Sequence, residues 1–170
     1  MIAQLAQIRR MHSKTLSAIS CLALASGCSD ETTAHPIDVI DLPVGWEAAQ
    51  TVKTFSQGAC AGSAYDPNIH ETLDVTAGTG SVSIAYHNAH FRCNQTVEGF
   101  VRPNSGTLDV LVQPVDMNPA TIAKCDCLYE ITIGLDAEAG TYTVQLSRRW
   151  DHKSGSASVL LVGAASVEVP

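Results

Sequence analysis

The feature of this chain that most constrains its fold is a period-two alternation of apolar and polar residues, which begins near residue 50 and continues to the C terminus. Short turn sequences such as Pro103-Asn-Ser-Gly106 interrupt it. Such alternation is typical of strands with one buried face. No stretch after residue 30 repeats its apolar residues at the 3.6-residue period of an amphipathic helix. We therefore predict an all-β fold, an antiparallel β-sandwich of about seven or eight strands.

The alternation also predicts where the strands lie, because each run ends at a turn or at a longer loop. Trp46 is expected to begin the folded domain as a core or rim aromatic, and 57–70 is expected to be a long irregular loop. The predicted strands are 50–56, 71–76, 80–86, 96–102, 107–115, 127–134, 141–149 and 156–169, the last as one long strand or two short ones.

The first 27 residues have the layout of an export signal. They carry Arg9, Arg10 and Lys14 and no acidic residue, and an apolar run over 15–25 is too short for a membrane span of about 20 residues. Ala25-Ser-Gly-Cys28 follows and resembles the lipobox of bacterial lipoproteins, in which a peptidase cleaves before the cysteine and acyl chains anchor it. An ordinary secretory signal is the alternative, and translation starts at Met1 or at Met11.

The resulting organisation is a signal peptide over 1–27, a lipidated acidic tether over 28–45 and one β-sandwich domain over 46–170. Lipidation, with palmitate among the acyl chains, is expected at Cys28. Ser29 favours the outer membrane of the bacterial cell envelope, by resemblance to Gram-negative lipoproteins.

The charge of the chain bears on its partners. The chain has 10 basic and 17 acidic residues, a net charge of −7, and no nucleic-acid partner is expected. Removing the signal takes away three basic residues and leaves 7 − 17 = −10. Attachment to a membrane must therefore come from the lipid and not from charge.

Four cysteines remain in the mature domain: Cys60, Cys93, Cys125 and Cys127. An even number in an exported chain predicts two disulfides, and four cysteines allow three pairings. Cys125 and Cys127 are only two residues apart, so a bond between them needs a strained ring. We expect each to pair outward, one with Cys93 and one with Cys60.

A metal site is the competing interpretation of the same residues. Zinc accepts cysteine and histidine ligands, and copper(I) accepts thiolates. The spacing matches no strong zinc signature, and thiols outside the cytoplasm need protection from oxidation. The candidate ligands are His87, His90, Cys93, Cys125 and Cys127.

Three segments of the chain occur in the same order as in a known group of proteins. They are Tyr86-His-Asn-Ala-His-Phe-Arg-Cys93, Cys125-Asp-Cys127 and Gly140-Thr-Tyr-Thr-Val144. The chain thus resembles a group of uncharacterised secreted bacterial β-proteins and lipoproteins, which share H-N-x-x-F-x-C, a later C-x-C and a closing G-x-Y-T-V strand. The resemblance implies a β-sandwich and no particular mechanism.

No catalytic constellation is evident, since a nucleophile motif such as G-x-S-x-G is absent. Asp109, Asp116, Asp126 and Glu130 are expected to be solvated surface acids, and Arg148 with Arg149 a charged rim. We therefore predict a non-enzymatic structural or binding module of the cell envelope. We expect it to use no cofactor and to bind an envelope protein or ligand. The alternative is a zinc- or copper-binding envelope protein.

Overall fold

The computed structural model of the chain describes residues 42–61, 68–115, 123–150 and 159–170. The signal segment, Cys28, most of the tether and Asp116 lie outside the described residues. None of the described residues forms a helix long and apolar enough to cross a membrane. The strands found in the described ranges are β1 (Gln50–Thr51), β2 (Thr54–Gln57), β3 (Thr72–Gly78), β4 (Ser81–Arg92), β5 (Val97–Asn104), β6 (Thr107–Pro114), β7 (Asp126–Asp136), β8 (Gly140–Arg148) and β9 (Leu160–Val169).

The strands form two sheets, which confirms the predicted β-sandwich. Sheet A has the order β1-β5-β6-β8-β9, and sheet B has the order β2-β7-β4-β3. All neighbouring strands are antiparallel except β6 and β8, which are parallel. The exception follows from the path of the chain. After β6 the chain leaves sheet A, forms β7 in sheet B in the opposite direction, and then returns to sheet A as β8, which runs beside β6 in the same direction as β6.

The core lies between the sheets and is built from the alternating apolar residues that the sequence shows. In β4, Val82, Ile84 and Tyr86 are buried, and their intervening neighbours are less so. Val144 and Leu146 of sheet A are also fully buried and belong to the same hydrophobic cluster. Each such side chain contributes roughly 1.5–3 kcal/mol when it leaves water, so this alternation drives the packing of the two sheets.

The two ends of the sandwich differ in the length of their connections. At one end, which we call the turn end, short turns join β3 to β4, β5 to β6 and β7 to β8. Gly80 and Gly106 have positive φ values of 69° and 76° in two of these turns, a conformation that glycine adopts without steric cost. At the opposite end, the loop end, lie the β2–β3, β4–β5, β6–β7 and β8–β9 connections.

Two of the predicted strands differ most from the structure, each for a local reason. The predicted strand 50–56 is two strands in different sheets, since the chain crosses from sheet A to sheet B at Val52 and Lys53. The predicted strand 80–86 continues as β4 to Arg92. A β-bulge between Tyr86 and Ala89 adds one residue to β4, so the period-two pattern breaks there although the strand goes on. The predicted strand 156–169 begins at Leu160 as β9, and residues 156–158 lie outside the described residues.

Trp46 packs on the outer face of sheet A, where it covers Phe100 and Leu111 together with Leu42 and Ala49. The guanidinium carbon of Arg102 lies 4.7 Å from the centroid of the Trp46 ring. Arg102 also donates a hydrogen bond to the carbonyl of Gly45. These contacts seat the entering chain near the turn end, because Arg102 lies close to the β5–β6 turn.

Candidate functional site at the loop end

Two disulfides join strands at the loop end, as the cysteine count predicts. They link Cys60 to Cys127 and Cys93 to Cys125, with Cα–Cα distances of 5.7 and 5.6 Å. This is the expected pattern, in which Cys125 and Cys127 each pair outward. Cys127 is buried in β7, and Cys125 is exposed just before that strand begins. The bonds therefore tie the segment after β2 and the end of β4 to the start of β7.

Side chains that bind backbone groups hold the same end together. The side chain of Gln57, at the end of β2, accepts a hydrogen bond from the amide of Val97 and donates one to the carbonyl of Gln95. The hydroxyl of Tyr129 donates toward the carbonyls of Arg92 and Cys93, at 3.0 and 2.8 Å. Burial raises the pKa of Tyr129 above its ordinary value.

The five residues proposed from the sequence as metal ligands are not brought together. The sulfurs of Cys93, Cys125 and Cys127 are in the two disulfides. His87 contacts carboxylates on the outer face of sheet B, whereas His90 contacts an aromatic ring at the loop end. Within the described ranges, no three histidine, cysteine or acidic residues form a group that could hold a metal ion.

The side chain of Glu71 binds the backbone of β4 at the loop end, where β4 has no neighbouring strand on one side among the described residues. Strand β3 pairs with β4 only as far as His87, so the backbone of β4 beyond that residue lacks a neighbour on this side. Oε1 of Glu71 accepts a hydrogen bond from the backbone nitrogen of His90, at an N–O distance of 3.1 Å. The same oxygen accepts a second hydrogen bond from the hydroxyl of Tyr86. The other carboxylate oxygen of Glu71 accepts from Nε of Arg148 at 2.8 Å. Burial raises the pKa of Tyr86 far above its ordinary value, and the Glu71 carboxylate adds to the effect.

Trp150 lies beside these residues and is surrounded by cationic and aromatic groups. Its ring centroid is 4.5 Å from that of His90. The guanidinium carbons of Arg92 and Arg148 each lie 5.2 Å from the Trp150 ring centroid, within the range of a cation–π contact. Nη1 of Arg92 in turn donates to Asp126 at 2.6 Å. We call this set the Trp150 cluster: Glu71, His90, Arg92, Asp126, Arg148 and Trp150.

Three nitrogens of the Trp150 cluster are buried and have no hydrogen-bond partner among the residues that the structure describes. They are Nε1 of Trp150, Nε of Arg92 and Nε2 of His90. The last is 3.6 Å from Asp126, which is beyond a hydrogen bond. A buried donor without an acceptor costs about 1–3 kcal/mol. The cluster can therefore form favourable new hydrogen bonds with a group that brings oxygen acceptors.

A second polar group lies on the outer face of sheet B at the β4 bulge. Asn88 adopts a positive φ of 54° there, and the bulge places Nδ1 of His87 2.5 Å from Oε2 of Glu130. Nε2 of His87 is 3.3 Å from Oδ2 of Asp74. The pKa of His87 is raised, chiefly by its hydrogen bond to Glu130 and further by the charge of Asp74.

Sequence reasoning missed most of the Trp150 cluster and misjudged some of its members. Arg148 and Arg149, predicted as a charged rim, are 8% and 6% exposed. Asp126 and Asp109, predicted as solvated acids, instead pair with Arg92 and Arg102 and are partly covered. No local signal could have found the cluster, because its residues come from four strands and their flanks and meet only in the folded chain.

The comparisons with known proteins add no relative. No protein-family model matches the chain, and neither the curated proteins nor the solved structures searched contain a match.

Proposed function

We propose that this chain is a lipid-anchored protein of the bacterial cell envelope that binds an envelope protein or ligand through its loop end, without catalysing a reaction. The observation that carries the proposal is the set of three buried nitrogens around Trp150 that have no hydrogen-bond partner within the described part of the chain. These nitrogens belong to a group in which the guanidinium groups of Arg92 and Arg148 lie against the Trp150 ring. The two disulfides are at the same end of the sandwich.

The chemistry of the Trp150 cluster favours a ligand with carbonyl or carboxylate oxygens. Such oxygens accept from indole, imidazole and guanidinium nitrogens, and they would remove the cost of the unpaired donors. Trp and Arg are also the residue types in which binding energy most often concentrates at protein interfaces. Arg148 and Arg92 are already paired with Glu71 and Asp126, so the ligand need not carry a full negative charge.

Exposed apolar residues at the loop end also favour this end of the domain as the binding surface. Ile69, in the β2–β3 connection, is 41% exposed, and Val115, just after β6, is 37% exposed. The chain enters the domain near the turn end, at Gly45 and Arg102. The loop end is the opposite end of the described domain.

The binding surface can be tested by photo-crosslinking in cells that express the chain. A photoreactive amino acid at Ile69 or Val115 should give a defined crosslinked product, and the same residue at Val44, which is 96% exposed, is the matched control. Adding Trp150→Ala should reduce the product at least tenfold while the unfolding temperature shows that the domain remains folded. Equal products at all three positions, or none at the loop end, would contradict a binding surface there.

Two measurements test the anchor and the state of the cysteines. Cys28→Ala should abolish incorporation of labelled palmitate and release the chain from membranes. The exported protein, denatured with an alkylating agent, should take up no label on the four domain cysteines. Alkylation at Cys93 and Cys125, together with a native mass excess of one zinc or copper ion, would instead favour the metal-binding alternative.

A further inference from the structure

Strand β9 is an edge strand whose sequence lacks the features that usually protect an edge, although β3 of the other sheet packs against it across the sandwich. It forms one margin of sheet A, and β8 is its only hydrogen-bonded strand neighbour among the described residues. Residues 159–167 contain no charge and no proline. Natural edge strands are normally blunted by charged side chains, by proline or by being very short, because an open edge can pair with another chain.

The other sheet margins in the described residues carry such protection. β1 is only two residues long, and β2 has four. β3 carries Asp74 in its middle and is preceded by Glu71. In contrast, β9 extends over ten residues, and Leu160 and Leu161 near its start are 50% and 56% exposed.

The inner and outer faces of β9 are suited to continuing the sheet. On the inner face, Gly163 packs so closely on Leu73 that a Cβ there would overlap the Leu73 side chain, which fixes how β9 lies on the core. On the outer face, Ala164 and Ser166 are exposed and small. A β-bulge beside Leu146 and Ser147 disturbs only the first part of the strand, so Gly163–Val169 pairs with β8 in a regular register.

We propose that the free edge of β9 pairs antiparallel with β9 of a second copy of this chain, so that two copies of sheet A form one continuous sheet. A twofold axis brings the same strand of both copies together in antiparallel orientation, which makes the edge complementary to itself. The pairing needs no opposite charge on the partner, and Glu168 is the one side chain of β9 that a basic peptide could pair with.

The distribution of charge also favours this contact over others between copies. Without the signal segment the chain carries a net charge of 7 − 17 = −10, so two copies repel each other on average. Glu168 is the only charged residue of β9. A pairing centred within residues 163–166 keeps the two Glu168 residues about 13 Å or more apart at the rise of a strand, beyond the screening length in physiological salt. Like charges therefore do not oppose the pairing.

The test is the oligomeric state of the full chain, measured by sedimentation equilibrium in a density-matched non-ionic detergent. The edge variant carries Ala164→Lys and Ser166→Lys. The matched control carries Thr141→Lys and Gln145→Lys, which add the same charge on the exposed face of the neighbouring strand β8. We expect a dimer for the wild type and the control, and at least a tenfold weaker association for the edge variant.

Two outcomes would overturn the proposal: a monomeric wild type at about 100 µM, or an edge variant that dimerises as the control does. Circular dichroism checks that both variants fold. If the edge variant does not, amide hydrogen exchange of the wild type decides. The outward-facing amides of β9 should become protected as the concentration rises, and unchanged protection would refute the pairing.

Discussion

At the scale of single residues, the buried ion pair of Glu71 and Arg148 is the contact on which the loop end depends most. The two side chains are only 18% and 10% exposed, so neither can return to water if its partner is lost. Glu71 also accepts from the hydroxyl of Tyr86 and the amide of His90. One carboxylate thus satisfies three donors from β4 and β8.

We expect Glu71→Gln to destabilise the domain by about 3 kcal/mol, since it leaves the guanidinium of Arg148 buried without a counter-charge. Urea unfolding at constant pH measures the change in the free energy of unfolding.

Asp136→Asn is the matched control for this substitution. It breaks the ion pair with Lys53, whose partners are 67% and 59% exposed, and it should cost no more than about 1 kcal/mol. Equal effects of the two substitutions would show that the Glu71 pair does not behave as a buried one.

At the scale of elements, the bulge in β4 determines which groups meet on the outer face of sheet B. Three steps along β4, from Tyr86 to Ala89, oppose two steps along β7, from Ile131 to Tyr129. Tyr86, Ala89 and Phe91 all remain buried on either side of the extra residue. The bulge lets β4 keep its apolar face on the core while His87 reaches Glu130.

The conformation of Asn88 gives a prediction for this element. Its φ of 54° is tolerated by asparagine and glycine but strained for a β-branched residue. Asn88→Val should therefore lower the free energy of unfolding by about 1–2 kcal/mol.

Asn88→Gly is the control, because it also removes the hydrogen bond from the side chain to the carbonyl of His70. It should lower the free energy of unfolding less than Asn88→Val does, when both variants are measured by thermal unfolding. A valine variant as stable as the glycine variant would mean that the bulge does not impose this backbone conformation.

At the scale of the whole molecule, the two disulfides close loops of different lengths at one end of the sandwich. Cys60 and Cys127 are 67 residues apart, and Cys93 and Cys125 are 32 residues apart. Both bonds restrict the unfolded chain, and the loop lengths correspond to about 4 kcal/mol each in the chain-entropy description. Both disulfides are therefore expected to stabilise the whole domain, mainly by restricting its unfolded chain.

Replacing Cys93 and Cys125 together by alanine should lower the free energy of unfolding by about 2–4 kcal/mol. Replacing Cys60 and Cys127 should cost at least as much, because Cys127 also packs in the core. Guanidinium unfolding of the oxidised proteins measures both. A smaller loss for the Cys60–Cys127 pair would contradict both the loop-length argument and the packing of Cys127.

The sequence by itself was sufficient to predict the β-sandwich and most strand positions. Successive side chains of a strand point to opposite faces of the sheet, so a strand with one buried face has apolar residues at every second position. It also predicted two disulfides and the short turn that contains Gly106. These features depend on neighbours along the chain or on the number of cysteines. They need no knowledge of which distant residues meet.

Only the tertiary structure decided what surrounds Trp150, where β4 ends and which edge of the sandwich is open. Glu71, His90 and Arg148 are distant in sequence and meet because β3 begins only at Thr72, opposite His87, which leaves the β4 edge beyond that residue uncovered. Nothing in the local pattern distinguishes Arg148, which is buried in an ion pair, from a charged residue at a strand end. The burial of a polar side chain depends on partners that other strands supply, and strand order is a property of the whole fold.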